Sequence, residues 1–239
     1  LSAAVRAGRW LVDVQDEDGA WRRWFYHDVA GCYAAHLACF LAELGDFCGE
    51  PAMLDSARRH LDWVLGHRDA ATGWFDRTGF TEGEQQLRVA DLHTIAYMLA
   101  GVLQIAELLG RDDAVAAVTA AARALGGTLD RLAWLPGVLD HQWRDRADSA
   151  CLTGNAQSAL VWMRLFELDG DKRWLAWAGR ALELVKATQI MESPNPGLLG
   201  GVPGTDPMWG WYNDGAVLSW SAKFFIDALL RRRALEAAA

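Results

Sequence analysis

A few polar side chains stand where otherwise apolar stretches begin, and their types suit proton transfer. His93 lies next to Asp91 at the head of residues 91–109. An imidazole there titrates near neutrality and serves as general acid or base if it faces a cavity. The competing reading is a capping or core histidine. Asp148 and Cys151 precede a second such stretch, residues 151–168. Asp148 is either an acid/base carboxyl or a helix N-cap. Cys151 is either a thiol activated at a helix N-terminus or a small buried apolar residue. Asp206 lies in the last long loop. If Asp148 and Asp206 faced each other at ~5–9 Å they would form a glycosidase carboxyl pair. The expected catalytic set is His93, Asp148 and Asp206. No cofactor and no metal are expected, with a zinc site of His141, Asp148 and Cys151 as the weaker alternative.

Around this set are groups that could bind a substrate. Asn155 and Gln157 lie in an apolar stretch, and buried amides need partners, either substrate hydroxyls or neighbouring helices. Trp209, Trp211 and Tyr212 crowd one loop in a chain with 13 Trp. Such rings stack on sugars, surround an apolar polyene, or staple the loop to the core. Tyr33 and His36 open an earlier apolar stretch and are candidates of the same kind.

Helices must position these residues. Apolar side chains recur at helical spacing, as in Leu37, Leu41 and Leu44, or Leu92, Ala96, Leu99 and Leu103. Turn signals follow, such as Gly45-Asp46, Gly110-Arg111-Asp112 and Asp169-Gly170-Asp171. The pattern predicts eight helices at residues 1–15, 31–45, 50–67, 91–109, 112–127, 151–168, 171–188 and 215–232. Segments around Trp10, Trp63, Ala124 and Ala181 repeat at intervals of about 57 residues, giving four helical hairpins. One series, residues 31–45, 91–109, 151–168 and 215–232, is apolar nearly all round and suits an inner position. The other carries Arg58, Arg59, Asp62, Asp112, Asp113, Lys172 and Arg173 and suits an outer one. That alternation favours an α/α toroid over an open solenoid. Trp10, Trp63, Trp162, Trp174 and Trp177 are expected to be packing residues within helices. No substantial sheet is expected.

The segments leading into the inner helices are all long. They hold Trp21, Trp24, Tyr26, His27 and Asp28; Trp74, Asp76, Glu82 and Glu84; His141, Gln142, Trp143, Asp145 and Asp148; and Asp206 with its aromatics. Loops of this length in a compact domain are often functional.

The formal charge of −8 argues against a nucleic-acid partner. Residues 92–110 carry His93, Gln104 and Glu107 and read as a buried helix, not a membrane span. The four cysteines, Cys32, Cys39, Cys48 and Cys151, form no Cys-X-X-Cys pair and read as reduced thiols of a cytoplasmic protein. The oligomeric state is not legible. The whole chain, residues 1–239, reads as one domain that begins abruptly inside a helix, so a preceding N-terminal portion is expected.

Gln15-Asp16-Glu17-Asp18-Gly19-Ala20-Trp21 resembles the Gln-X-X-Asp-Gly-X-Trp repeat of terpenoid cyclases and prenyltransferase-like toroids. His93-Thr94-Ile95-Ala96-Tyr97, residues 149–157 and residues 222–229 resemble a bacterial family of six-hairpin-like toroid proteins, some associated with polysaccharide biosynthesis. The resemblance implies four hairpins of a six-hairpin (α/α)6 barrel. The Asp-X-Asp-Asp motif of the alkene-protonating cyclases is missing, and Asp140, Asp145 and Asp148 have the wrong spacing for it. The leading expectation is therefore a carbohydrate-active enzyme taking a saccharide or glycan by hydrolysis, elimination or epimerisation. The rivals are a terpenoid-type enzyme with a dry cavity and a non-catalytic binding or scaffold protein.

Overall fold

The computed structural model describes residues 1–80 and 83–238, without the side chains of Glu84, Gln86 and Ala238. The expectations for Glu82 and for the Glu84 side chain lie outside the described residues. Eight α-helices occur among them: α1 (Ser2–Asp13), α2 (Ala35–Cys48), α3 (Pro51–Gly66), α4 (Leu92–Leu109), α5 (Asp112–Leu132), α6 (Leu152–Asp169), α7 (Lys172–Ala187) and α8 (Ser219–Ala238). Six fall within a few residues of their expected places, while α5 and α8 end five and six residues later than expected. The strands are short: Val89–Asp91, Val138–Asp140, Ala150–Cys151 and Thr205–Asp206. The chain divides into two compact units, Leu1–Ala90 with Tyr97–Ala121, and Asp91–Ala96 with Ala122–Ala239.

In the first unit, α1 lies against α2 and α3. The α2–α3 hairpin turns at Gly49, whose φ of +66° is a left-handed conformation that costs glycine nothing. Glu50 N–H then bonds back to Gly45 O at 2.8 Å, and Pro51 opens α3 at a position that needs no donor. Helix α3 buries one stripe, Met53, Ser56, Ala57, His60, Leu61 and Val64, as an outer helix should. Helix α2 buries mainly small residues. They admit a close neighbour: a Cβ on Gly101 of α4 would lie 2.3 Å from the Ala35 carbonyl. Size, more than hydrophobicity, is selected at that crossing.

The Gln15–Trp21 run is a fastener. Gln15 Nε2 donates to Gly19 O and to Ser56 O, both at 2.9 Å, while its Oε1 accepts from Ser56 Oγ at 2.8 Å and from the Arg59 guanidinium. Gly19, at φ +89°, rests on the Arg59 backbone, where an added Cβ would come within 2.4 Å of Arg59 O. Asp18 accepts from Ala20 N–H, and its hydrogen bond from Arg22 holds the carboxyl down at about 2. Trp21 is 1% exposed and donates Nε1–H to Leu11 O at 2.9 Å. The motif thus locks the end of α1 to α3.

Beneath it, His60 is fully buried, 4.8 Å from the Trp21 ring, with Nδ1 donating to Gly19 O at 3.0 Å. Burial pushes its pKa down from 6.5 to about 4, against smaller opposing contributions from that hydrogen bond and from Asp18. The folded state therefore binds this proton less readily than the unfolded chain. The contribution to stability is complete above pH 6.5 and is lost as pH falls towards about 4, by about 3 kcal/mol in all. Urea melts between pH 7 and 4 should show this slope, and His60→Asn should flatten it.

In the second unit, α6 is buried on nearly every side, from Leu152 to Ala159 without a break. Trp162 is fully buried and donates Nε1–H to Ala122 O at 3.1 Å. Helix α7, capped by Asp171 accepting from Arg173 N–H at 3.0 Å, buries the single stripe Trp174, Ala178, Ala181, Leu182 and Val185. Gly154 of α6 meets the head of α4 so closely that a Cβ would lie 3.0 Å from His93 N.

Two expectations need correction. Helix α8 was grouped with the inner series, but it leaves Trp220, Ile226 and Leu230 exposed and buries only a stripe around Ser221, Phe224, Phe225 and Ala228. Trp10 is not a packed core residue; it is 49% exposed, because α1 turns only a narrow face inward and Gly8 is its sole buried residue. Helix α4 is long and apolar enough to cross a membrane by length and composition, but it is mostly buried and serves as a core helix.

Candidate functional site

The second unit stitches three loops onto the heads of α4 and α6. Leu92 N–H bonds to Gly137 O at 2.9 Å, Gly137 N–H to Ser149 O at 2.8 Å, and Leu152 N–H to Gly204 O at 3.0 Å. The strands Ala150–Cys151 and Thr205–Asp206 pair antiparallel, with Ala150 opposite Asp206 and Cys151 opposite Thr205. Asp140 anchors the loop before them. It is almost fully buried and accepts from Gln142 N–H and Arg144 N–H and from the guanidinium groups of Arg144 and Arg146. Burial alone would raise its pKa, but those hydrogen bonds and the Arg144 charge outweigh it and hold the carboxyl below its ordinary value.

His93 sits in the first turn of α4, 7% exposed. Its Nδ1 is 2.9 Å from Gln157 Oε1 of α6. A carboxamide oxygen only accepts, so Nδ1 carries the hydrogen and Nε2 is the basic nitrogen of the neutral ring. Burial lowers the His93 pKa below 6.5, and the Gln157 hydrogen bond opposes that shift. Tyr212 lies over the imidazole, ring centres 5.6 Å apart, and its Oη accepts from Trp220 Nε1 at 3.2 Å. Trp211 meets Tyr212 edge-on at 5.7 Å.

The structure thus brings His93, Gln157, Tyr212 and Trp211 together, but with altered roles. Gln157 orients the imidazole, while its buried Nε2 has no partner among the described residues. Asn155 is turned to the protein: Nδ2 donates to Cys151 O at 2.9 Å and Leu135 O at 3.4 Å, although Oδ1 has no partner among the described residues. Asp148, Asp206 and Trp209 are exposed. The strand pairing sets Asp206 opposite Ala150, two residues from Asp148, and neither carboxylate makes a side-chain hydrogen bond or ion pair among the described residues. Tyr33 and His36 belong to the first unit. There Tyr33 packs 5.1 Å from Phe80, and His36 stacks on Tyr97 at 4.0 Å.

Among the described residues no group of three His, Cys, Asp or Glu is placed to hold a metal ion. Cys151 caps α6, accepting from Gly154 N–H at 3.4 Å, and burial pushes its thiol up to about 12. Burial thus disfavours its thiolate form, and in this structure the thiol serves as a helix cap. His141 and Asp148 are left without it.

One residue was undervalued in the sequence. Asp91 is a buried carboxyl two residues from His93, close enough for its charge to raise the Cys151 pKa. An Asp just before an apolar helix reads as a simple cap, and only its burial marks it out.

No protein-family profile matches the chain, and no curated protein matches it in sequence. Solved structures do match. A polysaccharide lyase aligns at a TM-score of 0.66 and 13% identity, covering 98% of this chain and 67% of its own. A sugar epimerase from a ruminal bacterium aligns at 0.63 and 12%, covering 95% and 66%. A UGL variant with dGlcA-Glc-Rha-Glc aligns at 0.73 and 14%, covering 95% and 67%. The fold is that of the α/α-toroid enzymes. At these identities the likeness concerns the fold, and this chain spans about two thirds of the length of each match.

Proposed function

We propose that the chain is a glycan-acting enzyme that works by acid/base chemistry, with His93 as the proton-transfer group. The observation that carries this reading is the His93–Gln157 hydrogen bond. It fixes the tautomer of a nearly buried imidazole whose pKa burial holds below 6.5, so the ring is a neutral base at pH 7. Tyr212 restrains the ring face, and Trp211 and Trp209 supply aromatic surfaces for sugar rings. The saccharide-related names of the structural neighbours, a polysaccharide lyase and a sugar epimerase among them, support the same substrate class. In either chemistry a base takes a proton from a sugar carbon. In epimerisation a proton is then delivered to the opposite face of that carbon; in elimination a C=C bond forms as the neighbouring C–O bond breaks, and the leaving oxygen takes a proton.

A hydrolase reading rests on the exposed Asp148 and Asp206, with Asp206 paired opposite Ala150, two residues along from Asp148. A polyene-cyclising reading would rest on the Gln15–Trp21 run, whose polar groups fasten α1 to α3 and supply no acid. All four cysteines are unpaired, which supports a reducing, cytoplasmic location.

The discriminating experiment is a saccharide and oligosaccharide panel assayed with His93→Ala, Asp148→Asn and Asp206→Asn. Loss with His93→Ala alone supports elimination or epimerisation. Loss with either Asp variant, and not with His93→Ala, replaces it with hydrolysis. A responsive substrate turned over equally by all three variants would sink the assignment of these residues.

A further inference from the structure

The first unit holds a groove that the reading above does not use. It measures about 360 Å³ and is lined chiefly by Trp10, Leu11, Trp21, Arg23, Trp24 and Leu37. That is the size of a small-ligand site. Trp24 is 64% exposed although it sits at φ +76°, a backbone conformation unfavourable for a bulky side chain. Asp28 Oδ1 holds it there by accepting Trp24 N–H at 3.1 Å. Strain that keeps a large apolar ring in water points to a task for that ring.

The polar chemistry of the groove is one-sided. The Arg23 guanidinium lies 4.7 Å from the centre of the Trp24 ring. The adjacent Arg22 is committed to Asp16 and Asp18 at 2.7 and 2.6 Å, whereas Arg23 makes no ion pair among the described residues. Trp21 spends its indole N–H on Leu11 O. The indole N–H groups of Trp10 and Trp24 have no partner among the described residues. The groove therefore offers aromatic faces, hydrogen-bond donors and an uncompensated positive charge, in a chain of net charge −8. A matching ligand has an apolar ring face, acceptor oxygens and a negative charge.

We infer that this groove binds a carboxylate carried on a six-membered ring. The carboxylate pairs with Arg23 through charge-assisted hydrogen bonds, and the ring lies against Trp24 and Trp10. A uronic acid residue and a simple aromatic carboxylate share this chemistry. The inference stands apart from the His93 site, since every lining residue belongs to the first unit.

The test is a titration of the purified chain with glucuronate, benzoate and, as a neutral control, glucose, read by indole N–H chemical shifts. Saturable shifts with an anion and none with glucose over the same range are expected. Arg23→Gln should weaken binding by about tenfold, Trp24→Ala should abolish it, and His93→Ala should leave it intact. Both substitutions fall on exposed side chains, and unchanged thermal melts confirm that the variants are folded. Binding of glucuronate alone identifies a glycan as the source. Binding of benzoate alone identifies an aromatic acid, and binding of both confirms the shared chemistry. Equal shifts with glucose, or indifference to Arg23→Gln, would overturn the inference. So would the absence of saturation together with concentration-dependent self-association, which would mean that a second copy covers the groove.

Discussion

His93→Ala is expected to lower kcat on a responsive saccharide by roughly 10²–10⁴-fold, the usual contribution of a general acid or base. The effect should fall on kcat more than on KM, because the imidazole acts on the reacting bond. The pH dependence gives an independent check. A base works only when deprotonated, and burial places the His93 pKa below 6.5. Activity should therefore hold across neutral pH and decline on an acid limb below 6.5. Gln157→Leu removes the hydrogen bond that raises the His93 pKa, so that limb should move to still lower pH while kcat falls. Kinetic pH profiles of the two variants beside the parent would measure both effects. An unchanged limb in Gln157→Leu would show that Gln157 does not set the imidazole.

Trp21→Ala is expected to cost about 3–5 kcal/mol, the typical penalty for truncating a large buried aromatic, and to lower Tm by roughly 10 °C. The substitution empties a site that is 1% exposed and orphans Leu11 O, which now accepts the indole N–H. Gly19→Ala attacks the same fastener by another route. It forces a left-handed residue to carry a Cβ against the Arg59 carbonyl, at a cost of about 1–3 kcal/mol. The pair lies in one hydrogen-bonded turn, so the double variant should lose less than the sum. Thermal and urea melts measure all three. A Tm change within error for Trp21→Ala would mean that the turn does not secure α1.

The helices were legible because their signals are local. Helical spacing in α2 and α4, Gly49 before Pro51, and Asp171 before α7 each specify an element or its end without reference to the rest of the chain. The pairing of His93 with Gln157 was not legible. The two residues stand 64 positions apart, and only the close approach of Gly154 to the head of α4 brings their helices into register. Each stands out in the sequence as a candidate, but as a separate group with a separate role. Cys151 carries two sequence readings, an activated thiol and a small buried residue, and its burial fits the second. A thiol at a helix N-terminus reads as activated, yet complete burial costs its charged form more than the backbone N–H groups return. The face of α8 was misread because composition does not say which apolar stripe lacks a neighbour.

The tight hairpin tips have a practical consequence. At Gly49, Gly110 and Gly170 no atom lies within 4 Å of where a side chain would begin. The turns are built from the chain's own backbone, and the catalytic candidates lie elsewhere in sequence. These are the positions at which the polypeptide can be opened or given a reporter group while the fastened loops stay undisturbed.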